Sequence, residues 1–100
     1  MGILSLLKES LFGSKVDYQQ LIRDGAFVVD VRTPVEYKSG HLQNSLNIPL
    51  SALVNRIDEL NNKIVILVCK SGVRAEQAKS ILGKSGVTAY NDGAWRNLGK

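Results

Sequence analysis

The 100-residue chain has one cysteine, one histidine, one tryptophan and two prolines. A single thiol excludes an internal disulfide framework. Cys69 with His41 is too small a set for structural zinc, so no metal is expected. Two prolines and nine glycines are too few for a disordered or collagen-like chain. No apolar run approaches the roughly 20 residues of a membrane span. Nucleic acid is not an expected partner, because basic runs and basic–aromatic interleaving are both lacking. Lys and Arg nevertheless outnumber Asp and Glu by 13 to 9, a net charge of +4 that suits a small anionic ligand or an acidic partner. A lone free thiol fits a reducing compartment, which points to the cytoplasm. With 44% apolar residues, what is present is one globular domain with a modest core.

The apolar residues are arranged in alternating helix and strand patterns. Ile3, Leu4, Leu7 and Leu11 fall at helical spacing, giving a terminal helix over 1–13 that either packs as scaffold or docks on a membrane surface or partner through residues 1–12. It lacks a basic n-region and a cleavage site, so a secretory leader is not expected. The domain proper is taken as 14–100. Asp17 with Gln20 reads as a capping box opening a helix. Ala26–Val31 is an apolar run with one acid, the pattern of a strand buried on both faces. Thr33-Pro34-Val35-Glu36 is a second helix start, ended by Gly40. Ser45–Ile48 is a brief strand, and Ser51 is the expected cap of a helix carrying Leu53, Ile57 and Leu60. Ile64–Cys69 is the strongest strand. Ala75, Ala78, Ile81 and Leu82 form a helical face, with Glu76 placed to meet Lys79 or Ser80. Val87–Tyr90 is a last strand, followed by a loop to Trp95. The alternation predicts an α/β domain with a mainly parallel sheet, whose ligand sites lie beyond the carboxyl ends of the strands.

Cys69 sits at such an end. Alone it would read as a small buried hydrophobe. Its place before Ser71-Gly72 and a helix start, with Lys70 and Arg74 nearby, supplies N–H groups and positive charge that favour an anionic, reactive sulfur. The loop is not a phosphate-binding G-x-x-x-x-G-K-[ST] sequence. Tyrosine phosphatases use Cys-x5-Arg, whereas four residues separate Cys69 from Arg74 here. The shorter loop makes a smaller bowl, which suits one added sulfur atom better than a tetrahedral oxyanion.

Three ordered motifs then stand out: Asp30-Val31-Arg32-Thr33-Pro34-Val35-Glu36-Tyr37; Gly40-His41-Leu42 with Asn47-Ile48-Pro49; and Cys69-Lys70-Ser71-Gly72-Val73-Arg74. Over about Val16 to Trp95 the chain resembles the rhodanese-like sulfurtransferases, with their D-V-R-x-x-x-E-[YF], G-H-[IL]…N-I-P and C-x-x-G-x-R segments. It departs from their usual Gly-Gly before the tryptophan, reading Asp92-Gly93-Ala94-Trp95. The resemblance implies a five-stranded, mainly parallel sheet flanked by helices on both faces. It also implies a double displacement in which Cys69 takes sulfur from an anionic donor such as thiosulfate. Cys69 becomes a persulfide, cradled by N–H groups of Lys70 to Arg74, and a thiophilic acceptor (cyanide, a thiol, a protein cysteine) removes the sulfur. No cofactor is expected. The alternative is a persulfide carrier or binding module serving one specific partner.

The neighbours divide between substrate contact and support. Lys70, Ser71, Gly72, Val73, Arg74 and Arg32 are the candidate substrate-binding residues, and Asp30, Glu36, His41 and Trp95 the candidate supports. Arg74 is an anion contact or a tie to a carboxylate; Arg32 faces substrate or pairs with Glu36. Lys70 is a solvent-facing steering charge or a direct contact. Asp30, costly to bury alone, is expected to fix the loop or Arg32. His41 is a satisfied structural imidazole or a proton shuttle, and Trp95 a packed cap near the cleft or a partner contact.

Overall fold

A computed structural model describes residues 16–98. The helix expected over 1–13 lies outside the described residues. In chain order the elements are α1 (Tyr18–Arg23), β1 (Phe27–Asp30), α2 (Pro34–Ser39), β2 (Leu46–Asn47), α3 (Leu50–Leu53) continuing as a 3-10 turn (Val54–Leu60), β3 (Ile64–Cys69), α4 (Val73–Lys84), β4 (Thr88–Ala94) and α5 (Trp95–Leu98). The strands form one sheet in the order β2-β1-β3-β4, every neighbouring pair parallel.

The sheet has four strands among the described residues, not five. Four segments carry a strand pattern in the sequence, and each is found as a strand. The fifth was implied by the family resemblance alone, and no described segment supplies it.

β3 is the centre of the fold because both its faces are covered. From Val65 to Cys69 every residue is buried, and alternate side chains point to opposite faces. Val65, Leu67 and Cys69 join Val29, Leu53, Leu60, Ala75, Ala78 and Leu82 in one core beneath α3 and α4. Ile66 and Val68 join Leu98 in the other, with Tyr18, Leu21, Ile22 and Trp95 packed against it from α1 and α5. Each fully buried aliphatic side chain contributes roughly 2 kcal/mol. Ala75 and Ala78 are the small residues that let α4 lie close to β3, so its first turn comes down beside Cys69.

Tertiary contacts reassign several local signals. Asp17 accepts from the Gln20 N–H at 3.0 Å, but the Gln20 side chain turns to Asp24 and Arg23, so only half of that capping box forms. The Thr33–Glu36 box is complete. Ser51 does not cap α3: the helix begins two residues earlier, at Leu50 after Pro49, and the Leu50 N–H donates to the Val31 carbonyl at 3.1 Å. That donor is satisfied by the extension of β1 rather than by a side chain.

β4 does not end at Tyr90. It stays beside β3 to Ala94, with pairs Leu67–Asn91, Val68–Gly93 and Cys69–Ala94 that leave Asp92 as an extra residue. The bulge lets a sequence written in turn residues remain in the sheet next to the loop after β3.

Candidate active site

β1 and β3 are parallel neighbours with Asp30 opposite Val68, so the first and third motifs leave the sheet side by side at its carboxyl edge. Cys69 ends β3, three residues form the loop, and α4 starts at Val73. The Cys69 side chain points into the α4-side core and is 1% exposed. Gly72 turns the loop back on it. Its φ is +106°, a conformation most L residues avoid, and its N–H donates to Cys69 Sγ at 2.9 Å. A Cβ on Gly72 would stand 3.3 Å from Gly93 Cα. The glycine is therefore required both by its dihedral and by the approach of β4. Of the loop N–H groups expected around the sulfur, that of Gly72 is the one within hydrogen-bond reach among the described residues.

Asn91, which the sequence reading passed over, anchors this turn. Its Nδ2 donates to the Gly72 carbonyl and to Glu76 Oε1, both at 3.0 Å, and its Oδ1 accepts from the Gly93 N–H at 2.8 Å. Glu76 is therefore engaged across the bulge rather than with Lys79 or Ser80. Asn91 and Glu76 stand in one cavity beside the loop, of about 610 Å³, with Asp92 and Ser71–Val73. Burial pushes the Asp92 carboxyl up from its ordinary pKa.

The two arginines of the motifs are each engaged by a carboxylate. Arg32 is buried against Asp30, donating from Nε and Nη2 at 2.7–3.0 Å, while its own backbone N–H donates to Asp30 Oδ1 at 3.0 Å. The same guanidinium donates to the carbonyls of Gly40 at 2.7 Å and Glu36 at 3.3 Å, closing the end of α2. An Arg32–Glu36 side-chain pair, one of the two expected roles, does not form. The Glu36 carboxylate instead meets Arg74 through two parallel bonds, Nη1 to Oε1 at 2.7 Å and Nη2 to Oε2 at 2.9 Å. This bidentate fork is the strong form of the interaction. Thr33 donates to Glu36 Oε1 as well, from its N–H and its hydroxyl. The Arg74 guanidinium first, and the Thr33 N–H second, hold the Glu36 carboxyl well below the usual carboxylate range; the same pairing raises Arg74.

Lys70 is exposed and makes no ion pair among the described residues. It lines a second cavity of about 540 Å³ with Arg32, Glu36, Gly40, Trp95 and Arg96. Ala94, paired with Cys69 across the sheet, lines it too, although Cys69 itself lines neither cavity. Two guanidiniums lie over the Trp95 ring, Arg32 at 4.7 Å and Arg96 at 5.4 Å from its centroid. Arg96 was not singled out in the sequence; a cation directly after the lone tryptophan was the available signal. His41 lies on the surface, stacked on the Tyr37 ring at 3.7 Å and bonded through Nδ1 to the Tyr37 carbonyl at 2.7 Å, an arrangement satisfied when Nδ1 carries the proton. It lines neither cavity.

Among the described residues no helix is long and apolar enough to cross a membrane. Comparison with known proteins gives consistent matches. Among curated proteins, the chain is 43% identical over 68 residues to uncharacterized protein YqhL of Bacillus subtilis, covering 66% of this chain and 54% of that one. It is 38% identical over 63 residues to thiosulfate sulfurtransferase PspE of Escherichia coli, covering 60% of this chain and 61% of that one. The chain thus spans little more than half the length of these relatives. Among solved structures, a rhodanese with anions from E. coli superposes with a TM-score of 0.68 at 32% identity, covering 73% of this chain and 91% of that one. A family model described as rhodanese-like domain matches residues 14–97. With that match over most of its length and the fold to go with it, the chain belongs to the rhodanese-like domain family.

Proposed function

We propose that this protein is a sulfurtransferase in which Cys69 carries a sulfane sulfur as a persulfide from an anionic donor such as thiosulfate to a thiophilic acceptor. The observation that carries the reading is the Gly72 N–H aimed at Cys69 Sγ from 2.9 Å, at the carboxyl end of a buried strand. A donor fixed at that position favours negative charge on sulfur, both in the attacking thiolate and in the persulfide it forms. In the first half-reaction the thiolate attacks the outer sulfur of thiosulfate, the S–S bond breaks with its electron pair, and sulfite leaves. In the second, the acceptor attacks the outer sulfur and the electron pair returns to Cys69. Covalent capture divides one difficult transfer into two easier ones. Arg74, held by Glu36, serves here to position the loop, and Lys70 faces the incoming anion. A relative bearing the name thiosulfate sulfurtransferase supports the choice of donor.

A second reading, a carrier that gives up its sulfur only to one protein partner, is favoured by the 1% exposure of Cys69. The two separate in a thiosulfate-to-cyanide assay. Sulfurtransferase activity predicts steady turnover that Cys69→Ser abolishes, with a mass gain of one sulfur atom on Cys69 after thiosulfate alone. The carrier predicts the same mass gain without turnover. Turnover that survives Cys69→Ser would sink both.

A further inference from the structure

Four cations surround the active loop, and they fall into two classes. Arg32 is bound by Asp30 and Arg74 by Glu36, so their charge is already matched. Lys70 and Arg96 are exposed and have no carboxylate partner among the described residues. Both line the cavity of about 540 Å³ whose wall includes Ala94, the sheet neighbour of Cys69. The one carboxylate in its lining is Glu36, which is committed to Arg74. The cavity across the loop is the opposite, lined by Glu76 and Asp92 without a cation. An anion approaching Cys69 is therefore drawn to the Lys70 side. Arg96 is also pre-positioned there, its guanidinium lying over the Trp95 ring at 5.4 Å, and the ring itself rests on the buried Arg32.

The size of this cavity bears on what fills it. Thiosulfate has few atoms and would occupy a small part of the space, whereas volumes of about 300–1,000 Å³ are typical of sites for larger organic ligands. We propose that Lys70 and Arg96 form a carboxylate-binding subsite for the sulfur acceptor, a small organic thiol bearing acidic groups. The proposal rests on the persulfide reading of Cys69. With the thiol's carboxylates held by the two cations, its sulfur, deprotonated by solvent, attacks the outer sulfur of the Cys69 persulfide. The bond between that sulfur and Sγ breaks with its electron pair on Sγ, and a new S–S bond forms in the departing organic persulfide. One S–S bond is lost and one is made, so no external oxidant or reductant enters.

The test loads Cys69 with polysulfide, removes the excess, and follows loss of the persulfide by mass spectrometry with three thiols. These are mercaptosuccinate, which is dianionic, 2-mercaptoethanol, which is neutral, and cysteamine, which is cationic. The readout is the ratio of rate constants for mercaptosuccinate and 2-mercaptoethanol, which cancels any general damage to the loop. That ratio is expected to fall about fivefold in Arg96→Gln and in Lys70→Gln and to recover in Arg96→Lys, while the cysteamine ratio rises. Ratios unmoved by Arg96→Gln and Lys70→Gln overturn the subsite and leave the sulfurtransferase reading standing. A Cys69 that accepts no sulfur during loading overturns both.

Discussion

Asp30 and Arg32 lie two residues apart and are buried together, whereas Glu36 and Arg74 lie 38 residues apart and meet half-exposed. The chemistry is the same, a carboxylate on a guanidinium, yet the two pairs do different work. Burying Asp30 and Arg32 is tolerable because nearly every polar atom is answered: three donors on the carboxylate, two carbonyls on the guanidinium, an aromatic face beside it. Such a pair holds the end of β1, the end of α2 and Trp95 in one arrangement. The Glu36–Arg74 fork gains little from a low dielectric, since each side chain is 31% exposed. What it does is tie the first turn of α2 to the first turn of α4, and so the first motif to the cysteine loop. Depth sets how much a pair matters to stability; separation along the chain sets what it positions.

The largest effect is expected from Asp30→Ala. It strands a buried guanidinium, and removing one partner of a buried pair costs about 3–5 kcal/mol. Urea denaturation measures it directly. A loss below about 1 kcal/mol would place this pair with exposed ones and erase the contrast. Glu36→Gln probes the other side. Glutamine can still accept from the Thr33 N–H, so the cap of α2 survives and the fork to Arg74 is the interaction removed. The expected result is a stability close to that of the parent chain, with thiosulfate-to-cyanide transfer slowed about tenfold as the loop loses its tether. A chain destabilised as much as Asp30→Ala, with its transfer rate intact, would reverse the two roles.

The partners in these pairs were the least legible part of the sequence. Arg32 and Glu36 stand four apart and looked like a natural pair, but Arg32 is drawn inward to Asp30, and the register of β1 on β3 brings Arg74 to Glu36 instead. Pairing of that kind is decided by burial and by strand register, neither of which spacing encodes. The strands were readable because buried runs such as Val65–Val68 have few alternative uses. Cys69 and Gly72 were readable because strand, cysteine, glycine and helix follow in an order with a specific geometry. Asn91 to Ala94 was not, since Asn-Asp-Gly is turn vocabulary and remains strand only where β3 lies alongside to pair with it. Ser51 falls inside α3 rather than at its cap because the chain enters that helix at Leu50, whose N–H is held by the Val31 carbonyl, a partner far along the chain. Arg96 went unmarked because adjacency to a tryptophan does not say which way a guanidinium will lie.

The smallest expected effect is also the most selective, because it separates the pairs by acid and salt without touching the core. The Arg74 fork and the Thr33 donors lower the Glu36 pKa in the folded chain. The unfolded chain, with an ordinary glutamate near pH 4.3, therefore takes up a proton first as the medium is acidified. Stabilisation from the fork is thus fully present above about pH 4.3 and is lost as pH falls through the lowered folded value. The gap in urea midpoint between the parent chain and Glu36→Gln should be constant from about pH 7 to pH 5 and begin to narrow below about pH 4. It should also shrink in about 1 M salt, which screens a pair exposed to solvent, while the gap to Asp30→Ala persists because that pair is shielded from solvent. A Glu36→Gln gap indifferent to both acid and salt would show that the charge on Glu36 does not stabilise the folded chain, and the tether to the cysteine loop would then rest on Asn91 and the strand bulge alone.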